Sequence, residues 1–148
     1  MQFATNSPLW LGASWVASQK DAPWEELEGK TVAITGATGL IGKTLALSIA
    51  AHNKLAGEKS KQTRVLALVR NAAKARSILG DDDYIDILHW DASKPSTEGF
   101  PKADYVIHCA NMTDSASFIE RPVEVIETTT AGARSMLEYG RHSNARVL

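Results

Sequence analysis

Short apolar runs alternate along this chain with longer stretches in which apolar residues return every three or four positions. Thr31-Val32-Ala33-Ile34-Thr35 is a run of the first kind, bounded by glycine, and Arg64–Val69 (RVLALV) and Tyr105–His108 (YVIH) repeat it. Apolar runs of this length between turn formers predict strands buried on both faces. Tyr84–His89 alternates weakly and reads as a further strand, and Arg146–Leu148 as the start of another. Helical patterns fall between them. From Leu40 to about Leu55, Ile41, Leu45 and Ile49 share one face, broadened by Leu40, Thr44, Leu47 and Ala51. Ala72–Leu79 has helical composition and is closed by Gly80. From Val123 to about Arg141, Ile126, Thr130, Ala133, Leu137 and Gly140 line one side, with Pro122 where a first turn tolerates proline. The polar stretches 57–63 and 91–101 read as connections. Strands alternating with helices at these lengths predict repeated β-α-β units and a parallel sheet covered on both faces.

The class predicted is therefore α/β, a Rossmann-like doubly wound parallel sheet over residues 29–148, preceded by an N-terminal arm at 1–28. Met1–Gln19 carries no charged residue but holds Leu9, Trp10, Leu11, Trp15 and Val16. Asn6, Ser7, Pro8, Gly12 and Ser14 interrupt it and no basic residue precedes Lys20, so neither a secretory signal nor a membrane span is expected. Exposed tryptophan is costly surface, so the arm is expected to dock its tryptophans on the domain or on a neighbouring subunit. Ala22–Lys30 reads as a short amphipathic turn of helix with Trp24 and Leu27 on one side.

Composition narrows the function classes. The 148 residues carry 16 Lys+Arg against 17 Asp+Glu, which leaves no electrostatic footprint for nucleic acid or an anionic membrane. The single cysteine, Cys109, excludes an internal disulfide and a multi-cysteine metal site. His52, His89, His108 and His142 are scattered, without the spacing of a helical zinc motif. A cytoplasmic protein is expected.

The most informative segment is Gly36-x-x-Gly39-x-x-Gly42, set between a predicted strand and a predicted helix. The first glycine lets the chain turn sharply out of the strand. The second removes a side chain where a pyrophosphate would approach main-chain N–H groups, and the third lets helix and sheet pack closely. The phosphates would then sit at a helix N-terminus, where free donors and the dipole favour negative charge. The alternative is a glycine turn that serves packing alone. A triphosphate P-loop is disfavoured, because Lys43-Thr44 follows Gly42 but position 37 is alanine.

TVAITGATGLIG (31–42), DYVIHCA (104–110) and PVEVIETTTAGARSMLEYGR (122–141), in that order, resemble the extended short-chain dehydrogenase/reductases. Within them the chain is similar to the NAD(P)-dependent epimerase/dehydratases that act on nucleotide sugars. The resemblance runs from about Gly29 to Leu148. It implies that the turn, with Gly36, Thr38, Gly39, Leu40, Ile41 and Gly42, holds the pyrophosphate. Asp91, followed by Ala92, would meet the adenine amino group, although a turn-forming role for Asp91 stays open. Cys109, Ala110 and Asn111 would lie along the nicotinamide ribose and contribute mainly main chain. Where an NAD site carries an acidic residue after the second strand, this chain has Val69, then Arg70. A guanidinium suits a 2′-phosphate, so NADP is favoured over NAD, the alternative being a solvated Arg70 that opens the next loop.

The family's general base is a tyrosine whose pKa is lowered by a lysine four residues on, helped by a Ser or Thr. Tyr84, Tyr105 and Tyr139 are followed at that spacing by Leu88, Cys109 and Ser143, so no catalytic residue is assigned. The resemblance implies that these groups follow the strand beginning near Arg146, so that the chain is truncated before the catalytic half. The Asn-Val-x-Gly-Thr usual in the long helix is Thr129-Thr130-Ala131-Gly132-Ala133 here. The leading expectation is the cofactor-binding part of a nucleotide-sugar oxidoreductase that forms homo-oligomers. Two alternatives remain. One is a non-catalytic NADP-sensing or interaction module. The other is a fragment of a thioester (fatty-acyl) reductase, which shares the TGATG turn and the Leu68-Val69-Arg70 strand ending.

Overall fold

The computed structural model describes residues 7–57 and 61–148. In chain order the elements are α1 (Pro8–Ala17), α2 (Trp24–Leu27), β1 (Thr31–Thr35), α3 (Leu40–Ala56), β2 (Arg64–Val69), α4 (Ala72–Leu79) and β3 (Ile85–His89). They continue with β4 (Tyr105–His108), α5 (Ser115–Glu120), α6 (Pro122–Ser143) and β5 (Arg146–Val147). All strand pairings are parallel, in the order β3-β2-β1-β4-β5. The predicted α/β class and sheet are what the structure has. The first six residues of the arm and positions 58–60 of the predicted connection lie outside the described residues.

Successive side chains of a strand point to opposite faces, so continuous apolar runs feed two cores. On one face Val32 and Ile34 of β1 join Val65, Ala67 and Val69 of β2 under Ala46, Leu47 and Ile49 of α3. On the other, Ala33, Leu66, Leu68 and Val106 pack with Trp90 and with Met136 and Tyr139 of α6. The two strands at the centre, β1 and β2, are buried along almost their whole length.

Two helical faces differ from the sequence expectation. Leu40 and Ile41, in the first turn of α3, are 78% and 65% exposed. Farther along, Ala46, Leu47, Ile49, Ala50 and Ala51 are all buried. That burial is wider than one stripe because α1 lies on the outer side of α3. On α6 the buried residues are Val125, Gly132, Met136, Tyr139 and Gly140, whereas Ile126 and Leu137 of the predicted stripe are exposed. Both stripes have helical spacing, and periodicity alone does not say which one faces the sheet. Gly132 favours this face: a Cβ there would stand 3.1 Å from Ala92 Cβ and 3.4 Å from both His108 and Trp90, closer than most side chains sit, so glycine eases the helix's approach.

Two helices were not anticipated. In α1, Ser7 caps the helix by accepting from the Trp10 amide at 3.2 Å, and Pro8 occupies the first turn. In α5, Asp114 accepts from the Ser117 amide at 2.8 Å. The arm docks as expected, but as a helix. Trp10 is buried with the Lys54 ammonium 4.6 Å from its ring centroid. His52 Nδ1 donates to the Ala17 carbonyl at 3.2 Å, and its ring stacks on Trp24 at 4.3 Å. Trp15 remains 66% exposed. Among the described residues, no helix is long and apolar enough to cross a membrane.

Candidate functional site

From β1 the chain proceeds outward through β2 to β3, while β4 and β5 extend the sheet on the other side of β1. The order therefore reverses between β1 and β4, and the C-terminal ends of such neighbouring strands diverge into a crevice. The 36–42 turn, Arg70, Asp91 and the 109–111 segment all follow C-terminal strand ends, so one edge of the sheet gathers every residue singled out in the sequence.

The turn leaves β1 at Gly36, whose φ of +62° is the left-handed region that side chains disfavour. Its amide donates to the Leu68 carbonyl at 3.1 Å, and its own carbonyl accepts from the Gly39 amide at 2.8 Å. A Cβ on Gly36 would be 3.0 Å from the Ala110 amide nitrogen and Cα, so the turn rests directly on the segment after β4. Thr38 is half-buried within the turn and Gly39 is exposed at the cap of α3. Gly42 sits against the turn itself: a Cβ would lie 2.4 Å from the Gly36 oxygen. The Lys43 amide donates to Gly39, whereas the amides of Leu40, Ile41 and Gly42 have no acceptor among the described residues. Three unpartnered donors at the positive end of a long helix, with no side chain on the approach at Gly39, form a cradle for an anion. This donor set fits the diphosphate of a dinucleotide.

Thr35 ties the two halves of the crevice together. Its Oγ1 accepts from the Ala110 amide at 3.0 Å and lies 2.8 Å from His108 Nδ1. The contact with His108 Nδ1 is compatible with either ring tautomer, since the hydroxyl keeps its proton and a second lone pair after accepting from Ala110. Burial lowers the His108 pKa below its ordinary value, in keeping with a neutral ring. Burial likewise raises the Cys109 thiol, so Cys109 is half-buried and protonated rather than nucleophilic.

At the ends of β2 and β3, Val69 pairs with His89, and the residues beyond them diverge. Arg70 is exposed. Asp91 Oδ1 accepts from the Ser93 amide at 2.9 Å and from the Ser93 hydroxyl at 2.8 Å, the turn-forming role left open by the sequence. The Ser93 amide is the main reason that the carboxyl titrates below its ordinary value, with lesser help from the Ser93 hydroxyl and the Arg70 and His89 charges. Among the described residues Oδ2 accepts no hydrogen bond. Ala92 packs toward Gly132 of α6. Exposed Asn111 accepts at Oδ1 from the Met112 amide and from the Thr129 hydroxyl, each at 2.8 Å.

Sequence reasoning missed Thr35 and Thr129 as ties. The first carried a signal, a hydroxyl closing an otherwise apolar strand. Thr129 stands where the family's asparagine would, and its hydroxyl reaches the 109–111 segment. Among the described residues, no group of His, Cys, Asp and Glu could hold a metal ion.

The sequence matches the NAD dependent epimerase/dehydratase family over residues 32–148. Among curated proteins it is 33% identical over 136 residues to the hybrid PKS-NRPS synthetase tasS of Hapsidospora irregularis, covering 87% of this chain and 3% of that protein. It is 29% identical over 142 residues to 11-beta-hydroxysteroid dehydrogenase 1A of Arabidopsis thaliana, covering 84% of this chain and 40% of that one. The chain thus spans well under half the length of these relatives. Among solved structures, Pen from Bacillus thuringiensis superposes with a TM-score of 0.65 at 22% identity, covering 82% of this chain and 37% of that one. A UDP-galactose 4-epimerase gives 0.61 at 19%, over 79% and 36%. The thiolation-reductase di-domain of an archaeal non-ribosomal peptide synthetase gives 0.57 at 15%, over 91% and 39%. At these identities the structures speak for the fold alone.

Proposed function

We propose that this chain, which belongs to the NAD dependent epimerase/dehydratase family, is the dinucleotide-binding part of an oxidoreductase acting on nucleotide sugars and prefers NADP. The observation that carries the reading is the cradle: unpartnered amides of Leu40, Ile41 and Gly42 beside a left-handed Gly36 that rests on Ala110. Gly36, Thr38, Gly39, Leu40, Ile41 and Gly42 would hold the diphosphate, Asp91 and Ala92 the adenine end, and Cys109, Ala110 and Asn111 the nicotinamide ribose. The cofactor would supply hydride chemistry. This chain's own residues bind and orient, and the neutral interior of His108 and Cys109 keeps competing nucleophiles and charges away from the ribose segment. No residue of the chain is assigned to proton transfer. The division into an arm at 1–28 and a binding domain at 29–148, and a cytoplasmic setting, belong to the same proposal.

Arg70 supports NADP, since a guanidinium beside the adenine-side carboxylate accommodates a 2′-phosphate better than a neutral residue does. Titrating the 148-residue chain with NADPH and NADH tests both levels. Saturable binding of either is expected, and a folded chain that binds neither refutes the cofactor role. Arg70→Ala should weaken NADPH by about tenfold and NADH little, in line with a lost charge-assisted contact; equal losses would mean that Arg70 does not read the phosphate.

A second reading has its own support. The match to the hybrid synthetase and the Leu68-Val69-Arg70 ending favour a reductase of thioester-linked acyl groups. Turnover by the longest reading frame that contains this chain, with nucleotide sugars against acyl thioesters, separates the two. If that frame supplies no Tyr-x-x-x-Lys and turns over neither, the chain is an NADP-binding module without catalysis.

A further inference from the structure

The segment after β4 carries a side-chain amide with donors to spare. Asn111 Oδ1 accepts from the Met112 amide and from the Thr129 hydroxyl of α6, each at 2.8 Å, so both of its lone pairs are taken. The Met112 amide also fixes which end of the carboxamide is oxygen, since a flipped group would set N–H against N–H. The Thr129 hydroxyl has one proton and two acceptors in reach, Asn111 Oδ1 at 2.8 Å and the Val125 carbonyl at 2.7 Å. Val125 already stands in the hydrogen-bond ladder of α6, whereas Oδ1 has no proton of its own, so the contact with Asn111 is made with the threonine proton. With its oxygen held there, the carboxamide turns its two Nδ2 donors away from Thr129. Among the described residues they have no acceptor.

The crevice says what those donors can meet. A Cβ on Gly36 would lie 3.0 Å from the Ala110 amide nitrogen, so Asn111 is one residue from the turn whose neighbouring amides form the cradle. Arg70 and Asp91 follow β2 and β3 on one side of β1, while Asn111 follows β4 on the other. A dinucleotide with its diphosphate in the cradle and its adenosine toward Arg70 and Asp91 carries its second nucleoside toward Asn111. That half offers acceptor oxygens, on the ribose and on the nicotinamide carboxamide, and a neutral amide donor suits them. The side chain thus adds a contact to the main-chain role that the sequence led us to expect of this segment.

We infer that Asn111 Nδ2 donates to an oxygen of the nicotinamide nucleoside, and that Thr129 is a positioning residue that aims it. The inference rests on the dinucleotide reading above. Calorimetric titration of the 148-residue chain tests it, with circular dichroism to confirm folding of each variant. NADPH is paired with adenosine 2′,5′-bisphosphate, and NADH with ADP, because these controls lack the second nucleoside. Asn111→Ala should weaken the dinucleotide by about tenfold and Thr129→Val by about threefold, the range of one hydrogen bond, with the controls unchanged within about twofold. Thr129→Ser keeps the hydroxyl and should restore parental affinity. Asn111→Asp keeps an oxygen for Met112 and Thr129 but gives up the donors, so it should lose at least as much as the alanine variant. A parent that binds neither dinucleotide removes the cofactor reading and this inference with it. A parent that binds one, while Asn111→Ala or Thr129→Val matches it, overturns the inference alone. So do equal losses of dinucleotide and control, or an Asn111→Asp chain with parental affinity, which would leave Asn111 holding the loop and nothing more.

Discussion

Gly42→Ala is the sharpest probe of the turn, since the added methyl has no direction in which to go. Its carbon would lie 2.4 Å from the Gly36 oxygen and 2.9 Å from both Ala37 Cα and the Gly36 carbonyl carbon. Ordinary contact would need the helix and turn to separate by about 1 Å. The turn resists, because Gly36 is held at its amide by Leu68 and at its carbonyl by Gly39. Overpacking against fixed main chain costs about 3 kcal/mol, and the gain from alanine over glycine in a helix returns up to about 1 kcal/mol. The net expectation is a loss of about 2 kcal/mol, roughly 5–8 °C in melting temperature for a chain of this size. The same separation would tilt the Leu40–Gly42 amides away from the crevice and weaken NADPH. Gly39→Ala is the control: its methyl meets only the Gly36 oxygen, at 3.1 Å, so stability should fall by less than about 1 kcal/mol. Urea unfolding of both variants checks the contrast, and cofactor titration of Gly42→Ala checks the loss of affinity. A Gly42→Ala protein with parental stability and affinity would refute the close approach on which the site is built.

Other outcomes follow from the same contacts. Thr35→Val strands the Ala110 amide and His108 Nδ1 together, and should cost about 1–3 kcal/mol in urea unfolding, while Thr35→Ser restores most of it. Trp10→Ala empties the seat beneath Lys54; a loss of about 3 kcal/mol is expected, with proteolysis of the α1 segment well before the sheet is cut. Because folding lowers the His108 pKa, its contribution is fully present above the unfolded value of about 6.5. It declines as pH falls below that, as the unfolded chain takes up a proton that the folded ring refuses, by at most about 1.4 kcal/mol per pH unit. His108→Gln should flatten the decline in stability as pH falls below about 6.5, and an unchanged slope would assign it elsewhere.

The strands and the glycine turn were legible because their signals are local. A run such as Val65–Val69 can be little else than a strand covered on both sides, and three glycines after a strand have few uses. What escaped depends on neighbours. The choice between the Ile126–Leu137 and Val125–Met136–Tyr139 faces of α6 rests in part on Gly132 meeting Ala92, Trp90 and His108, residues far away in sequence. Burial all round the middle of α3 follows from α1, whose helix was hidden by Pro8 and Gly12 although Ser7-Pro8 is a helix-start signal. In the site, the glycines declared themselves, whereas Thr35 and Thr129 matter through single hydroxyl contacts to the 110–111 segment. No periodicity records such contacts.

The seat of α1 has a bearing on how the chain is made. The tryptophan-bearing helix leaves the ribosome before any part of the helix it rests on, and Lys54, which covers Trp10, arrives only when α3 is nearly complete. Until then an uncharged, aromatic segment waits without shelter, and α1 comes to rest only after α3 has followed it out. Holding or hiding that segment until α3 arrives is therefore a demand that this order of synthesis places on the cell.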